Sequence, residues 1–337
     1  MAKGASVSDV AKLAGVSTAT VSRALRFPDK VSPAMLARVQ HAAECLHYVV
    51  DGAARALRSR HTYMVGALIP SLDNAFFARA TNVLQRELAE KNYSLVLACY
   101  EFDLKLEAAL AKTLVERGVD GLVLFGLDHE PELVALMDRL EIPYLFGWSI
   151  DTTGRYPCVG MDNRKATARL TAYLWGLGHR EFAIISGVTD QNDRARERVA
   201  GVLQVLESHG VTLPPSRLLQ VPYTVRDGAQ AMSTLLHHAE RPTAVVCVND
   251  ILAIGALSQC RIDGVAVPAA ISIAGYGDME IAAFQEPSLT TLRTPTLELG
   301  RTMARHMLGR LAGQTVPWQT ELPVELIERG STARRRL

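Results

Sequence analysis

The chain of 337 residues has little cysteine and no long apolar run. Its five cysteines are scattered without a C-x-x-C spacing, which argues against a disulfide framework and a zinc site. No apolar run approaches the roughly 20 residues that cross a bilayer, and the start MAKGASVSDVAK lacks the apolar segment of a secretory signal. We therefore expect a cytoplasmic protein with no membrane partner, no metal and no cofactor.

Sequence motifs of common enzyme classes are also missing. There is no G-x-x-x-x-G-K-[ST] phosphate loop and no G-x-S-x-G nucleophile elbow. The segment WGLGHRE lacks the third glycine of a dinucleotide-binding fingerprint, and the pair His237-His238 has no companion ligand at a metal spacing. The sequence therefore predicts a protein that is not an enzyme.

Charge is distributed unevenly along the chain. Residues 1–60 contain nine Lys and Arg against four Asp and Glu, a net charge of +5, whereas the remainder has 27 against 31, a net charge of −4. A small basic head on a mildly acidic body indicates a polyanion as the partner of the head. The length of the chain and its 48% of hydrophobic residues allow such a division into two or three folded domains.

Residues 1–49 carry the signals of three short helices. Ser6 or Ser8 is the candidate cap of the first helix, and Gly15 supplies the left-handed backbone that ends it. Ser17 caps the second helix, and the segment VSPAML starts the third with proline at its first position. Three short helices with a tight turn between the first two predict a helix-turn-helix domain.

The exposed face of the second helix carries small polar side chains and one arginine. Arginine can donate two hydrogen bonds to guanine, threonine can contact a thymine methyl group, and alanine permits close approach. This face contains Thr18, Ala19, Thr20, Ser22 and Arg23. Hydroxyl groups that can donate to phosphates belong to Ser17, Thr20, Ser22 and Ser32. A solvated helical bundle without a DNA partner would use the same residue types, so that alternative stays open.

A family resemblance is carried by this head. The segment VSDVAKLAGVSTATVSRAL, followed by VSPAMLARVQHAAECLHY, resembles the DNA-binding head of the lactose-repressor (LacI/GalR) family of bacterial transcription regulators. The resemblance implies that Thr18, Ala19 and Arg23 read bases. It also implies that Ser17, Thr20, Ser22 and Ser32 contact phosphates. Arg26 stands where many family members have asparagine, and we expect it to contact DNA.

Residues 50–60 resemble the hinge helix of the same family. In the family, two such helices of a dimer enter the minor groove, and each inserts a leucine between base pairs, a role that falls on Leu57 here. Val50 and Asp51 replace the usual proline and asparagine. An ordinary linker with an incidental leucine is the alternative.

The body, residues 61–334, alternates apolar runs with amphipathic helical stretches. This alternation predicts parallel sheets covered by helices, and it resembles the periplasmic-binding-protein-like core of the family. The predicted fold is therefore an all-α helix-turn-helix head plus an α/β core of two doubly wound parallel-sheet subdomains. Subdomain 1 is expected to comprise 61–160 and 292–320, and subdomain 2 to comprise 161–291 and 321–334. The segment TELPVELIER is expected to form the last strand.

Candidate effector-binding residues follow the predicted strands, because ligands of open α/β sheets bind beyond the carboxyl ends of the strands. They are Ser71, Asp73, Phe76, Trp148, Arg196, Asn249 and Asp278. The family resemblance places its ligand-binding arginine at Arg196, and arginine suits a carboxylate or a phosphate. Gly277 stands where sugar-binding relatives often have aspartate. Since LRFPDKVS and GYGDMEIA resemble the gluconate-responsive branch, a sugar acid is the expected effector. A neutral sugar, or a purine stacked on Phe76 or Trp148, remains an alternative.

The resemblance implies a homodimer whose two heads read a near-palindromic operator on double-stranded DNA. When bound to its operator, the protein is expected to be associated with the nucleoid. Effector binding between the subdomains is expected to change the spacing of the hinges. The sequence does not show whether this releases the DNA or promotes binding, and release is expected because it is the commoner case in the catabolic branch that the chain resembles. A solute-binding protein that shares the body is the main alternative, although it would have no use for residues 1–60. A sugar or nucleoside hydrolase on the same fold is a third.

Overall fold

A computed structural model describes residues 5–49, 61–72, 75–238 and 240–335. Within these ranges the chain forms two compact units, of which the first ends at Thr62 and the second begins at Tyr63. The predicted hinge, including Leu57, and the candidate Asp73 lie outside the described residues, as do the side chains of Arg26 and Phe76. Among the helices that are described, none has the length and apolar character needed to span a bilayer.

The first unit, called the head, consists of three short helices with well-capped ends. They are α1 (Val7–Ala14), α2 (Thr18–Arg26) and α3 (Pro33–Cys45). Of the two candidate caps of α1, Ser6 is the one used, and it forms a reciprocal capping box with Asp9. Gly15 ends α1 at φ 63°, which L residues with side chains rarely adopt.

Small apolar side chains fill the core of the head. Because these side chains are short, the three helices can approach one another closely and bury a core despite the small size of the unit. The fully or nearly fully buried members are Val10, Ala11, Ala14, Val21, Ala24, Val39 and Ala42.

The second unit, called the body, contains two six-stranded sheets. The strands of the first sheet are β1 (Met64–Ile69), β2 (Ser94–Cys99), β3 (Gly121–Phe125), β4 (Tyr144–Ser149), β5 (Cys158–Met161) and β11 (Gln319–Glu321). Those of the second are β6 (Phe182–Ser186), β7 (Leu218–Gln220), β8 (Ala244–Cys247), β9 (Ser272–Gly277), β10 (Thr290–Arg293) and β12 (Glu325–Ile327). The sheet orders are β11-β5-β4-β3-β1-β2 and β12-β10-β9-β8-β6-β7. All pairs are parallel except β10 with β12, which confirms the predicted fold class.

Helices cover the sheets, and each sheet with its helices is called a lobe, lobe 1 for the first and lobe 2 for the second. The helices are α4 (Ala75–Ala89), α5 (Leu104–Glu116), α6 (Pro131–Arg139), α7 (Asn163–Gly176), α8 (Asp193–Ser208), α9 (Val225–Leu236), α10 (Asp250–Ile262) and α11 (Thr296–Leu311). Helices α4 and α11 pack together on lobe 1, while α7 with α8 and α9 with α10 form pairs on lobe 2. The inner strands are buried on both faces, which is why they read as continuous apolar runs.

The prediction that TELPVELIER forms one strand was wrong. The segment contributes to two strands in different lobes, because β11 pairs with β5 in lobe 1 and β12 pairs with β10 in lobe 2. Pro323 stands between them, and proline has no N–H with which to continue a ladder. The chain therefore passes from lobe 1 to lobe 2 at this proline.

The predicted limits between the subdomains all fall inside strands. The limit at 160/161 cuts β5, the limit at 291/292 cuts β10, and the limit at 320/321 cuts β11. Because a strand belongs to the sheet in which it pairs, we propose to place the limits after Met161, Arg293 and Glu321. The sequence did not indicate the short strands β5, β7 and β10, since three or four residues give little periodic signal.

Candidate functional site

The start of α2 presents the polar residues that the sequence singled out. The Ser17 hydroxyl accepts a hydrogen bond from the Thr20 amide at 3.1 Å and shares one with the Thr20 hydroxyl at 2.9 Å. Ser32 has the same capping role at α3, where its hydroxyl accepts from the Met35 amide at 3.4 Å. These hydroxyls therefore have a structural role as caps and remain near the surface, where the predicted phosphate contacts would be made.

The side chains predicted to read bases are exposed on one helix. Thr18, Ala19 and Arg23 lie on the solvent side of α2, and Ser22 is half-buried beside them. The Arg23 guanidinium makes no hydrogen bond or ion pair with the described residues, so it is free to reach a base edge. Their contacts with DNA stay predictions.

Arg38 is a structural residue of the head that sequence analysis did not identify. Its Nη2 donates to the carbonyl oxygens of Ala14 and Gly15, at 2.9 and 3.4 Å. These carbonyls end α1, where helical partners are missing. Arg38 therefore joins α3 to the turn that orients α2, and its spacing of more than twenty residues left no local pattern to find.

A cleft of about 790 Å³ lies between the two lobes, at the carboxyl ends of the strands. Pro70 and Ser71 follow β1 and line it from lobe 1, together with Phe77 of α4 and the loop after β2. From lobe 2 the lining comes from Val188 and residues 190–192 after β6, from residues 221–224 after β7, and from Ile251 of α10. This is the place expected for a ligand of an open α/β sheet.

The lining of the cleft is acidic and aromatic. Four acidic residues and one basic residue, Lys105, line the cleft. Three aromatic residues, which come from both lobes, line it as well. The acidic residues are Glu101, Asp103, Glu130 and Asp190, and the aromatic ones are Phe77, Phe102 and Tyr223. Such a lining repels an anion and suits a neutral or cationic molecule with a ring.

Of the predicted effector residues that can be described, Ser71 lines this cleft, whereas Trp148 and Asn249 do not. Trp148 is fully buried and stacks on Phe125, with ring centroids 4.1 Å apart, so its indole belongs to the core. Asn249 is the buried cap of α10, where its side-chain oxygen accepts from the Ile251 amide at 3.0 Å. Asn249 follows β8 as the sequence predicted, whereas Trp148 lies within β4 and not after it. The sequence did not reveal the burial of either residue.

Arg196 joins the two lobes. Its guanidinium donates to both carboxylate oxygens of Asp128, at 2.7 and 2.8 Å, and to the carbonyl oxygen of Thr189 at 3.3 Å. The hydrogen bonds that Arg196 donates to Asp128 raise the pKa of Arg196 above its ordinary value. In this conformation Arg196 has a carboxylate partner on lobe 1 and does not line the cleft.

Asp278 also has protein partners. Arg293 and Arg329 each donate to its carboxylate at 2.6 Å. Burial raises the pKa of Asp278, but the hydrogen bonds from the two arginines outweigh it, so the pKa lies below its ordinary value. Asp278 therefore ties the end of β9 to β10 and to the chain after β12, away from the cleft lining.

A buried polar cluster at the first turn of α8 was not predicted from the sequence. The Ser149 hydroxyl donates to Asp193 at 2.5 Å, and Arg194 Nη1 donates to Asp193 at 3.0 Å and to the carbonyl oxygen of Phe125 at 2.8 Å. Ser149 and Phe125 belong to lobe 1, so the cluster joins the lobes. Gly126 is required beside it, since a Cβ atom there would collide with the Arg194 guanidinium.

Comparison with known proteins supports a division into head and body. The family model of bacterial regulatory proteins of the lacI family matches residues 6–51, and that of a periplasmic binding protein-like domain matches residues 171–332. The transcriptional repressor CytR of Escherichia coli (strain K12) is 31% identical over 330 residues, which cover 97% of this chain and 96% of CytR. The transcriptional repressor PurR of Escherichia coli O139:H28 is 32% identical over 333 residues, covering 98% and 97%.

A solved structure agrees with these relatives. The lac repressor dimer bound to operator and the anti-inducer ONPF superposes with a TM-score of 0.87 at 26% identity, covering 98% of this chain and 100% of that chain. The similarity includes the DNA-binding head as well as the body, so the solute-binding alternative has no support. The chain therefore belongs to the LacI family of bacterial regulatory proteins, as a DNA-binding transcriptional repressor with an effector-binding domain.

Proposed function

We propose that the protein is a homodimeric, cytoplasmic repressor whose affinity for a near-palindromic operator is controlled by a small molecule in the cleft between the lobes. The observation that carries the proposal is the exposed face of α2, where Thr18, Ala19 and Arg23 are held by capped helices on a basic head. Residue types of this kind form hydrogen bonds and methyl contacts with base edges in the major groove. The relatives are repressors, and a non-enzymatic role fits them.

The chemistry of the cleft favours a neutral or cationic effector over the sugar acid expected from sequence. That expectation depended on two segments that resemble the gluconate-responsive branch and on two features of the expected cleft. Of these features, Arg196 is paired with Asp128, and Gly277, where an acidic group is missing, lies outside the cleft lining. Four carboxylates and one ammonium group line the cleft. A carboxylate ligand would meet unfavourable charge there, whereas a neutral sugar or a purine, the alternatives left open, would not.

Control of DNA affinity requires that the effector prefer one arrangement of the lobes. Several polar contacts cross between the lobes. They join Arg196 with Asp128, Ser149 with Asp193, and the Leu104 amide with Gln191 at 3.4 Å. A ligand that lengthens or shortens these contacts changes the relative orientation of the lobes. The spacing between the hinges of the two subunits then changes as well. Release of the operator is the direction we expect.

Arg23 provides the test of DNA reading. Replacing Arg23 by alanine is expected to reduce the preference for operator over random DNA by about 1–3 kcal/mol, because a two-bond contact with guanine is lost. The measurement is fluorescence anisotropy on both DNAs at one salt concentration. Lys12→Ala, which removes an exposed charge of α1, is the control and should weaken binding to both DNAs alike. An equal loss on both DNAs in Arg23→Ala would remove this residue from base reading.

Exposed apolar side chains on lobe 2 and α11 support a dimer. Phe284 is 79% exposed, Ile281 51% and Leu297 43%, and solvent-facing apolar groups of this size mark protein interfaces. Phe284→Asp is expected to convert the dimer into a monomer at micromolar concentration in sedimentation velocity. Operator affinity should fall with it, since two linked heads bind more tightly than one. Leu140→Asp, which places the same charge at an exposed apolar site on lobe 1, is the control. A dimeric Phe284→Asp protein would place the interface elsewhere.

A further inference from the structure

The loop between β2 and α5 has an unusual backbone at the edge of the cleft. Glu101 and Phe102 both have positive φ, 50° and 64°, a region that residues with side chains rarely occupy and hardly ever occupy in succession. Hydrogen bonds hold the turn in this form, since the Glu101 amide donates to the Pro70 carbonyl and the Asp103 amide to the Tyr100 carbonyl, at 3.0 and 2.8 Å. The turn directs the Phe102 ring towards lobe 2.

On the opposite side, Tyr223 is held in place by its own lobe. Its ring packs directly on Gly187, where a Cβ atom would collide with it, and its hydroxyl accepts a hydrogen bond from Asn192 Nδ2 at 3.4 Å. The rings of Phe102 and Tyr223 face each other across the cleft, with centroids 6.1 Å apart and planes 33° apart. Both rings line the cleft and are only half-buried.

This spacing is slightly too small for a third ring. Favourable contact between carbon atoms occurs at about 3.5–4.0 Å, so a planar ring between two others needs a gap of about 7 Å. The present gap would admit a ring after an opening of roughly 1 Å and rotation of Phe102 towards the plane of Tyr223. Beside the two rings lie Glu101, Asp103 and Asp190, whose carboxylates accept hydrogen bonds and attract positive charge.

We propose that Phe102 and Tyr223 form a clamp that selects effectors carrying a planar ring with N–H donors. The inference rests on the proposed function, because it names the ligand class of the same cleft. Phe102 determines specificity from lobe 1, while Tyr223 provides the fixed surface on lobe 2. The Leu104 amide, two residues after Phe102, bonds Gln191 of lobe 2, so a movement of the turn that admits a ring also alters a contact between the lobes.

Titration calorimetry of the full chain with five probes tests the clamp. Adenosine, adenine and cytosine carry a planar ring with an amino group, whereas ribose and gluconate have no planar ring. We expect at least one of the three planar probes to bind, and ribose and gluconate to bind at least tenfold more weakly. Absence of binding by all three planar probes at millimolar concentration would overturn the proposal, as would tighter binding of ribose or gluconate.

Variants of the clamp separate stacking from a general effect on folding. Phe102→Ala should weaken binding of the planar probe at least tenfold, while Phe102→Tyr, which keeps the ring, should stay within about threefold of the wild type. Leu106→Ala, at an exposed position on α5 outside the cleft lining, is the matched control and should bind normally. Unchanged affinity in Phe102→Ala would overturn the clamp.

Operator binding is measured on the same proteins, so that the two proposals fail in different ways. If the operator is bound and released by ribose or gluconate alone, the repressor function stands and the clamp does not. If a planar probe binds through Phe102 but the protein does not bind operator DNA, the clamp stands and the proposed function fails.

Discussion

Replacing Arg194 by methionine is expected to lower the free energy of unfolding of the body by about 3–5 kcal/mol. Arg194 is 4% exposed, and its Nη1 donates to Asp193 and to the carbonyl oxygen of Phe125. Methionine has a similar length but carries no charge. It would leave the Asp193 carboxylate buried with the Ser149 hydroxyl as its remaining partner, and removal of one member of a buried pair is costly for this reason.

Urea unfolding followed by circular dichroism measures the effect. The matched control is Arg164→Met, which removes an arginine whose ion pair with Glu197 is exposed, and a change within about 1 kcal/mol is expected there. The double variant Asp193→Asn with Arg194→Met should recover part of the loss, because it leaves no unpaired charge. If Arg194→Met were no less stable than the control, the cluster would contribute nothing to the closed body.

Asp250 is expected to make stability depend on pH in the opposite sense to most carboxylates. Burial raises its pKa from 3.8 to about 6, against the hydrogen bonds from Thr291 and the Met279 amide, which lower it. Below pH 3.8 the group is protonated in both the folded and the unfolded chain. As the pH rises to about 6, the unfolded chain loses the proton first, so folding loses about 3 kcal/mol of stability from this group.

The variant Asp250→Asn isolates this contribution. Its stability relative to the wild type is expected to rise by up to about 3 kcal/mol between pH 4 and pH 7, because asparagine has no proton to lose. Urea unfolding of both proteins at several pH values gives the difference directly. Asp278→Asn should show the opposite trend, since the folded-state pKa of Asp278 is lowered and its stabilisation is lost as the pH falls. A pH-independent difference for Asp250→Asn would mean that this carboxyl is not desolvated.

The parts of the molecule that could be predicted from sequence depend on neighbours along the chain. The caps Ser17 and Ser32 and the turn at Gly15 follow from residue types within one helical turn. The longer inner strands could be recognised because both faces are buried, which leaves continuous apolar runs. The short inner strands β5 and β10 could not be recognised. TELPVELIER was misread because pairing with two different sheets divided an apparent single strand.

The candidate effector site was predicted in its general position but not in its residues. Ser71 lines the cleft, and its contact with an effector stays a prediction. The aromatic pair Phe102 and Tyr223 was not anticipated. Phe102 has no helical or strand periodicity, because it lies in a strained turn. Tyr223 follows the three-residue strand β7, which was itself too short to recognise.

The sequence by itself determined the alternation of helices with the longer strands, the capped helix-turn-helix and the α/β class, since periodicity and capping act over a few residues. Only the tertiary structure decided which polar side chains pair between the lobes. Arg194 is buried against Phe125 and Arg196 is bound to Asp128, although the two arginines stand two positions apart in one segment. Their partners are distant in the chain, and burial and ion pairing depend on what the folded lobes bring together.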